Sequence, residues 1–200
     1  MYLPKLREIK EALVSFFSAP YTVKYPGTKF SPPEQYRGFP KFQENYCIGC
    51  GTCTQVCPAG AIQIVDNIET RNRKLTINYL SCIQCGQCQE KCITARGIVL
   101  TNNYSLPVTS LTAPEAFESV NKTLAICECC GKEIACRDHL NWIKERIGAK
   151  AYSHPDFILE TQRLFFDVEP SLPKNRLRRE DYLKEVCPYC RHKIVAKDEF

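Results

Sequence analysis

The chain of 200 residues has no apolar run approaching the roughly 18 residues needed to span a bilayer. Its N-terminal segment offers no secretory h-region either, because Lys5, Arg7, Glu8, Lys10 and Glu11 interrupt the apolar pattern. There is no Gly-rich phosphate loop, and no Ser, His and carboxylate arrangement of the kind a hydrolase needs. The three histidines, His139, His154 and His192, share no ligand spacing and read as surface or turn residues. A formal charge of +5 is a mild basic excess, and no strongly basic patch carries interleaved aromatics, so nucleic acid is not an expected partner. These absences predict a cytosolic chain of one or two small domains, without a spanning helix and without a site for substrate chemistry.

Cysteine is what the chain has in excess. Fourteen of them imply either a disulfide framework or bound metal, and in a reducing compartment the clusters read as metal ligands. Eight lie in an internal repeat. Cys47-Ile-Gly-Cys50-Gly-Thr-Cys53-Thr-Gln-Val-Cys57 recurs, offset by 35 residues, as Cys82-Ile-Gln-Cys85-Gly-Gln-Cys88-Gln-Glu-Lys-Cys92. With Pro58, the first run is C-x2-C-x2-C-x3-C-P, the bacterial ferredoxin pattern, in which the fourth cysteine serves the other cluster. Three thiolates on a tight loop grip three corners of one cubane, and the fourth points toward the pseudo-twofold mate. The spacing therefore predicts one [4Fe–4S] cluster on Cys47, Cys50, Cys53 and Cys92, and a second on Cys82, Cys85, Cys88 and Cys57. Gly51 and Gly86 would let backbone amides approach the sulfurs and raise the potential. Ile93 stands where the second run would usually carry Pro, a change that removes no ligand. Structural zinc does not use eight cysteines in this register.

A second set of thiols lies toward the C-terminus. Cys127-Glu-Cys-Cys130-Gly-Lys-Glu-Ile134 matches Cys187-Pro-Tyr-Cys190-Arg-His-Lys-Ile194 in spacing. Two C-x2-C knuckles make a tetrahedral four-cysteine site for zinc, the leading expectation, or for a single iron; a third cluster and unmetallated thiols are the other readings. With 56 residues between the knuckles, an inserted helix must fold back. Cys129 and Cys136 read as small buried residues, with Cys129 replacing Cys127 as ligand the alternative. Three loaded sites would bring the net charge to about −1.

Around these motifs the chain divides into four parts. Residues 1–45 comprise an amphipathic helix over 3–17, with Leu3, Leu6, Ile9, Leu13 and Phe16 at helical spacing, and an arm rich in proline. Residues 46–100 are the two-cluster ferredoxin domain. Its apolar stretches are Ile62, Ile64 and Val65, then Ile98, Val99 and Leu100. A strand over 71–77 follows a turn at Asp66-Asn67. Residues 101–126 are a connector in which Pro114-Glu115 opens a short helix. Residues 127–200 are the four-cysteine unit, with a helix over 138–147 stopped by Gly148. The run Arg176-Leu-Arg-Arg179 reads as a solvated helix face or a partner contact. The fold class is α+β: a bacterial 2[4Fe–4S] ferredoxin-like core with an N-terminal amphipathic helix and a C-terminal zinc-ribbon-like unit.

The segments Pro20-Tyr-Thr-Val-Lys-Tyr-Pro26, Tyr36-Arg-Gly38 and Cys47 onward resemble the two-cluster subunit shared by respiratory complex I and membrane-bound group 4 [NiFe] hydrogenases. The tail, with Ala125-Ile-Cys127-Glu-Cys129-Cys130 and Cys187-Pro-Tyr-Cys190, is similar to the small iron–sulfur subunit of formate hydrogenlyase. That resemblance implies a non-catalytic electron-relay subunit, peripheral on the cytoplasmic side of the membrane. It implies partners in a hydrogenase small subunit, a large subunit and a membrane subunit, with formate dehydrogenase or a ferredoxin as donor. A complex I-type subunit and a diffusible ferredoxin are the alternatives, although a free carrier needs neither the helix nor the arm.

Overall fold

The computed structural model describes residues 5–20, 22, 27–28, 30–106, 108, 110–166, 171–173 and 183–196. Leu3, most of the segment 21–26 and the run Arg176 to Arg179 lie outside them. The chain divides into two compact units, Met1–Gln35 and Tyr36–Phe200.

The first unit contains helix α1, Leu6–Phe17. It begins where the Lys5 backbone N–H donates to the Glu8 carboxylate at 3.0 Å, which satisfies a donor the first turn leaves open. None of its residues is buried, and Leu6, Phe16 and Phe17 are each more than four-fifths exposed.

The second unit joins the cluster segment and the C-terminal segment through one sheet. Strands β1, Pro40–Phe42, and β4, Ile98–Leu100, form an antiparallel pair that closes the ends of the repeat. Strands β2, Ile62–Asn67, β3, Asn72–Asn78, β5, Phe117–Ile126, and β6, Glu133–Cys136, form an antiparallel sheet in that order. The turn between β2 and β3 lies after Asn67, later than the Asp66-Asn67 position expected, because Asp66 is held in the ladder opposite Arg73. The second half of the expected connector is regular structure: a short 3-10 turn at Pro114–Ala116 leads into β5, a ten-residue strand. Two one-turn helices, α2, Thr52–Gln55, and α3, Gln87–Glu90, follow the two cysteine loops.

Alternation along β3 buries Leu75 and Ile77. They meet Phe42, Ile62, Ile98 and Val120, and the third cysteine of each run, Cys53 and Cys88, belongs to the same core. Gly38 shows how tightly β1 is seated. A Cβ there would stand 2.3 Å from the Asn103 carbonyl oxygen and 2.5 Å from that of Thr101, so only glycine fits. Glu118 of β5 accepts from the Phe42 N–H at 2.9 Å and lies 2.7 Å from the Tyr79 hydroxyl, which ties the small sheet to the large one.

Helix α4, Arg137–Ile147, continues directly from β6 and stops at Gly148, whose φ is +62°. Helix α5, Pro155–Phe166, packs back against it, and α6, Pro188–Ala196, carries the end of the second knuckle. Buried charges hold this part together. Arg137 bridges Glu160 and Glu185, Arg163 bridges Glu185 and Glu128, and Arg191 pairs with Asp156. Burial raises the Glu160 carboxyl despite the opposing pull of Arg137. Burial also works against the Arg163 guanidinium, but its bonds to Glu185 and Glu128 outweigh it and raise its pKa.

Removing one arginine, Arg163, from such a network leaves two buried carboxylates, Glu128 and Glu185, short of positive charge. Arg163→Met is expected to destabilise the C-terminal segment by about 3–5 kcal/mol. Limited proteolysis across 127–196 is the measurement, and wild-type resistance would count against the network as a structural brace.

Candidate metal centres

Each cluster loop is a short turn pinned at both ends. Cys47 N–H donates to Gln43 O at 2.8 Å, and Gly51, at a φ of +79°, starts α2. The second loop repeats this form, with Gly86 at +81° before α3. The fourth cysteine of each run follows its helix.

The thiols gather in two crossed groups. Cys47 is raised by burial first; its sulfur interacts with Cys50 of its own loop and with Cys92 of the other run. Cys47, Cys50, Cys53 and Cys92 line a single cavity walled by Phe42 and Ile98. In the second group, Cys82 and Cys88 interact with Cys85 and with Cys57 of the first run. Burial pushes Cys53 up to about 12 and Cys88 to about 11, with neighbouring thiols adding to it. Four thiols converging from two runs on one apolar cavity are the donor set of a [4Fe–4S] cluster, so the residues fit that group.

Hydrogen bonds reach several of these sulfurs. Ala61 N–H donates to Cys57 Sγ at 3.3 Å, and Cys92 Sγ lies 3.3 Å from the Thr94 hydroxyl. Burial would raise Cys92, but the Thr94 hydroxyl and the backbone N–H groups of Thr94, Gly97 and Ile98 lower it overall. Such bonds favour the charged thiolate, the form that binds iron.

The C-terminal knuckles also meet. The sulfurs of Cys127, Cys130, Cys187 and Cys190 all lie within 4.8 Å of one another, and those of Cys130 and Cys187 are 3.7 Å apart. Sulfurs placed 2.3 Å from one tetrahedral metal would be about 3.8 Å apart, so the group fits zinc or a single iron. Backbone N–H groups of Cys130 and Cys187 point at Cys127 Sγ from 3.5 and 3.3 Å. Burial alone would raise Cys127, but these bonds and one from Cys129 bring it to about 7. Cys127, not Cys129, belongs to the group; Cys129 is buried beside it, and Cys136 is buried with Leu124 and Ile126. The expected ribbon differs in form. The first knuckle turns between β5 and β6, but the second opens α6, because Pro188 starts a helix where a second hairpin would be needed.

Two features were not read from the sequence. One is the Arg137, Arg163, Glu128 and Glu185 network, signalled only by a glutamate inside a cysteine knuckle. The other is the surface behind the first loop. Arg73 donates to Gly49 O at 3.0 Å, and Cys136 Sγ lies 3.4 Å from the same oxygen. In the alternation of β3, Arg73 falls on the inward face with Leu75 and Ile77, a signal that was available.

Comparison with known proteins places the segment with the eight repeated cysteines in a family. Residues 39–93 match the model of the 4Fe-4S dicluster domain. The chain is 39% identical over 95 residues to the NAD(P)H-quinone oxidoreductase subunit I of Gloeobacter violaceus, covering 44% of each. It is 30% identical over 100 residues to the NADH-quinone oxidoreductase subunit I 2 of Geobacter metallireducens, covering 46% of this chain and 76% of that protein. The chain belongs to the NADH-quinone oxidoreductase subunit I family. This family member spans less than half the length of its Gloeobacter relative. A chain of the membrane-bound sulfane sulfur reductase, an archaeal respiratory membrane complex, overlaps it with a TM-score of 0.40 at 31% identity, covering 55% of this chain and 59% of that one. At that score no shared arrangement is established.

Ligand crossing is testable in this subunit I relative. Cys57→Ser is expected to abolish the signal of the centre on Cys82, Cys85 and Cys88 and to leave that of Cys47, Cys50 and Cys53. EPR of the reduced protein reads this, and loss confined to the Cys47 loop's centre would refute the crossing.

Proposed function

We propose that the chain is the electron-relay iron–sulfur subunit of a membrane-associated [NiFe] hydrogenase complex of the formate hydrogenlyase type. Membership of the subunit I family supports the electron-relay part of the reading, and the four-cysteine extension on Cys127, Cys130, Cys187 and Cys190 supports the hydrogenase part. The aligned stretches of 95 and 100 residues are longer than the dicluster domain at 39–93, so the kinship extends past the cluster loops. Cys47, Cys50, Cys53 and Cys92 hold one [4Fe–4S] cluster, and Cys82, Cys85, Cys88 and Cys57 the other. Each cluster, when bound, supplies a one-electron couple. The chain's own part is to exclude water from the thiols, to aim backbone N–H groups at their sulfurs, and to keep the two donor sets side by side for transfer.

Zinc on Cys127, Cys130, Cys187 and Cys190 is the structural reading of the C-terminal site, with mononuclear iron as the other metal the same sulfurs accept. The Cys-rich extension is what favours a hydrogenase complex over a complex I-type one. The partners are hydrogenase small and large subunits and a membrane subunit, with formate dehydrogenase or a ferredoxin upstream. The subunit is peripheral, on the cytoplasmic side; no helix among the described residues is long and apolar enough to cross a membrane.

A diffusible ferredoxin is the competing reading. Helix α1 argues against it, because the apolar residues Leu6, Ile9, Leu13 and Phe16 are all exposed on it. An apolar stripe of this kind marks an interaction surface.

Anoxic purification with native partners, followed by mass spectrometry and metal analysis, tests the assignment. The expected outcome is a co-purifying [NiFe] large subunit, and metal analysis of the chain purified alone under anoxia is expected to give about eight irons and one zinc. Four or twelve irons would overturn the metal assignment, and a quinone-reducing partner without nickel would return the chain to the complex I type. Deleting residues 1–17 is expected to leave both clusters in place and release the chain from the membrane fraction. Sedimentation at wild-type yield would show that α1 is not the attachment.

A further inference from the structure

The two cluster loops share their cysteine spacing and their glycines at 51 and 86, and one of the positions at which they differ lies between the first two cysteines. Gly49 in the first corresponds to Gln84 in the second, and both adopt a positive φ, +69° and +54°. The second loop therefore tolerates a side chain in the same backbone conformation. The first cannot, for a reason outside the loop. A Cβ on Gly49 would stand 2.5 Å from Cys136 Sγ and 3.2 Å from Lys122 Cβ. The sheet is pressed against the first loop at this point.

The residues pressed there carry charge. Arg73 and Lys122 are direct partners across β3 and β5, on the same face as the partners Leu75 and Val120. That face is apolar under the core and cationic at the end behind Gly49. Arg73 holds Gly49 O and is matched by Asp66 at 2.6 Å, so its charge is largely cancelled on the spot. Lys122 is different. Its side chain is 10% exposed, its ammonium donates to Glu44 O at 2.7 Å, and its counter-ion Asp138, at 2.9 Å, is 51% exposed. Water screens the carboxylate far better than the ammonium, which leaves a net positive field on the protein side.

We propose that Lys122, clamped between Glu44 and Asp138, makes the centre on Cys47, Cys50, Cys53 and Cys92 the higher-potential member of the pair. Reduction adds one electron and one negative charge to a centre, with no bond made or broken, and a nearby cation stabilises that charge. The electron then rests on the centre that faces the β5–β6 extension. Lys122 is a positioning and tuning residue, not a ligand. This inference rests on the two-cluster reading above.

EPR-monitored redox titration of the anoxically purified full chain tests it, with the two centres told apart by the signal lost in Cys57→Ser. In Lys122→Met the Cys47-loop centre is expected to become about tenfold harder to reduce, about 59 mV for one electron, while the other centre moves less than about threefold. Asp138→Asn is expected to shift the same centre the opposite way, and Lys122→Arg to restore it. A packing defect would not reverse sign with the charge removed. Equal shifts in both centres, shifts of one sign in both variants, or no shift would overturn the inference while leaving the relay reading standing. An iron content far below eight in the wild-type chain would instead sink the relay reading itself.

Discussion

Seven residue pairs join β3 to β5, from Asn72 opposite Thr123 to Asn78 opposite Phe117. That ladder is the constraint on which the second unit depends. On one side β3 continues into β2 and the buried Leu75, Ile77 and Val120 beneath the thiols. On the other, β5 runs into β6, and the turn between them is the first C-terminal knuckle. The cluster segment and the four-cysteine segment are consequently parts of one body, not beads on a linker. A shift of register by one residue would move Val120 off the core and Lys122 off Gly49 together.

The same ladder decides where charge sits. Alternation along a strand dictates that whatever precedes Leu75 by two residues also faces inward, and that residue is Arg73. Such a charge is tolerable only when paired, and Asp66, opposite it on β2, is the partner. Farther along the chain, Arg137 and Arg163 serve buried glutamates beside the knuckle. Both metal regions are thus backed by arginine and carboxylate held at low exposure. Pairs at such low exposure are little screened by water, so they bear on the stability of the segments they join.

Local spacing made the candidate ligands legible. The repeat of C-x2-C-x2-C-x3-C, the two matching knuckles, the apolar stripe from Leu6 to Phe16 and the stop at Gly148 all depend on contacts within a turn or two of chain. Less legible were the features made by distant partners. The stretch 101–126, with Pro107 and Pro114, read as a connector, yet its second half is β5, because pairing on both edges outweighs the weak strand signal of Phe117 to Lys122. The ribbon expectation extended one hairpin to two, whereas Pro188 begins a helix.

By itself the sequence determined the chemistry of the thiols, since cysteine type and spacing set which metals a loop can grip. It also determined the helical periodicities and the one glycine in the pair Gly49 and Gln84. Only the tertiary structure decided what stands behind that glycine. Lys122 lies more than seventy residues from Gly49, and alternation says which face it takes but not which loop that face will meet. Contacts of that range are set by strand register and by packing of the whole sheet, and no local pattern encodes them.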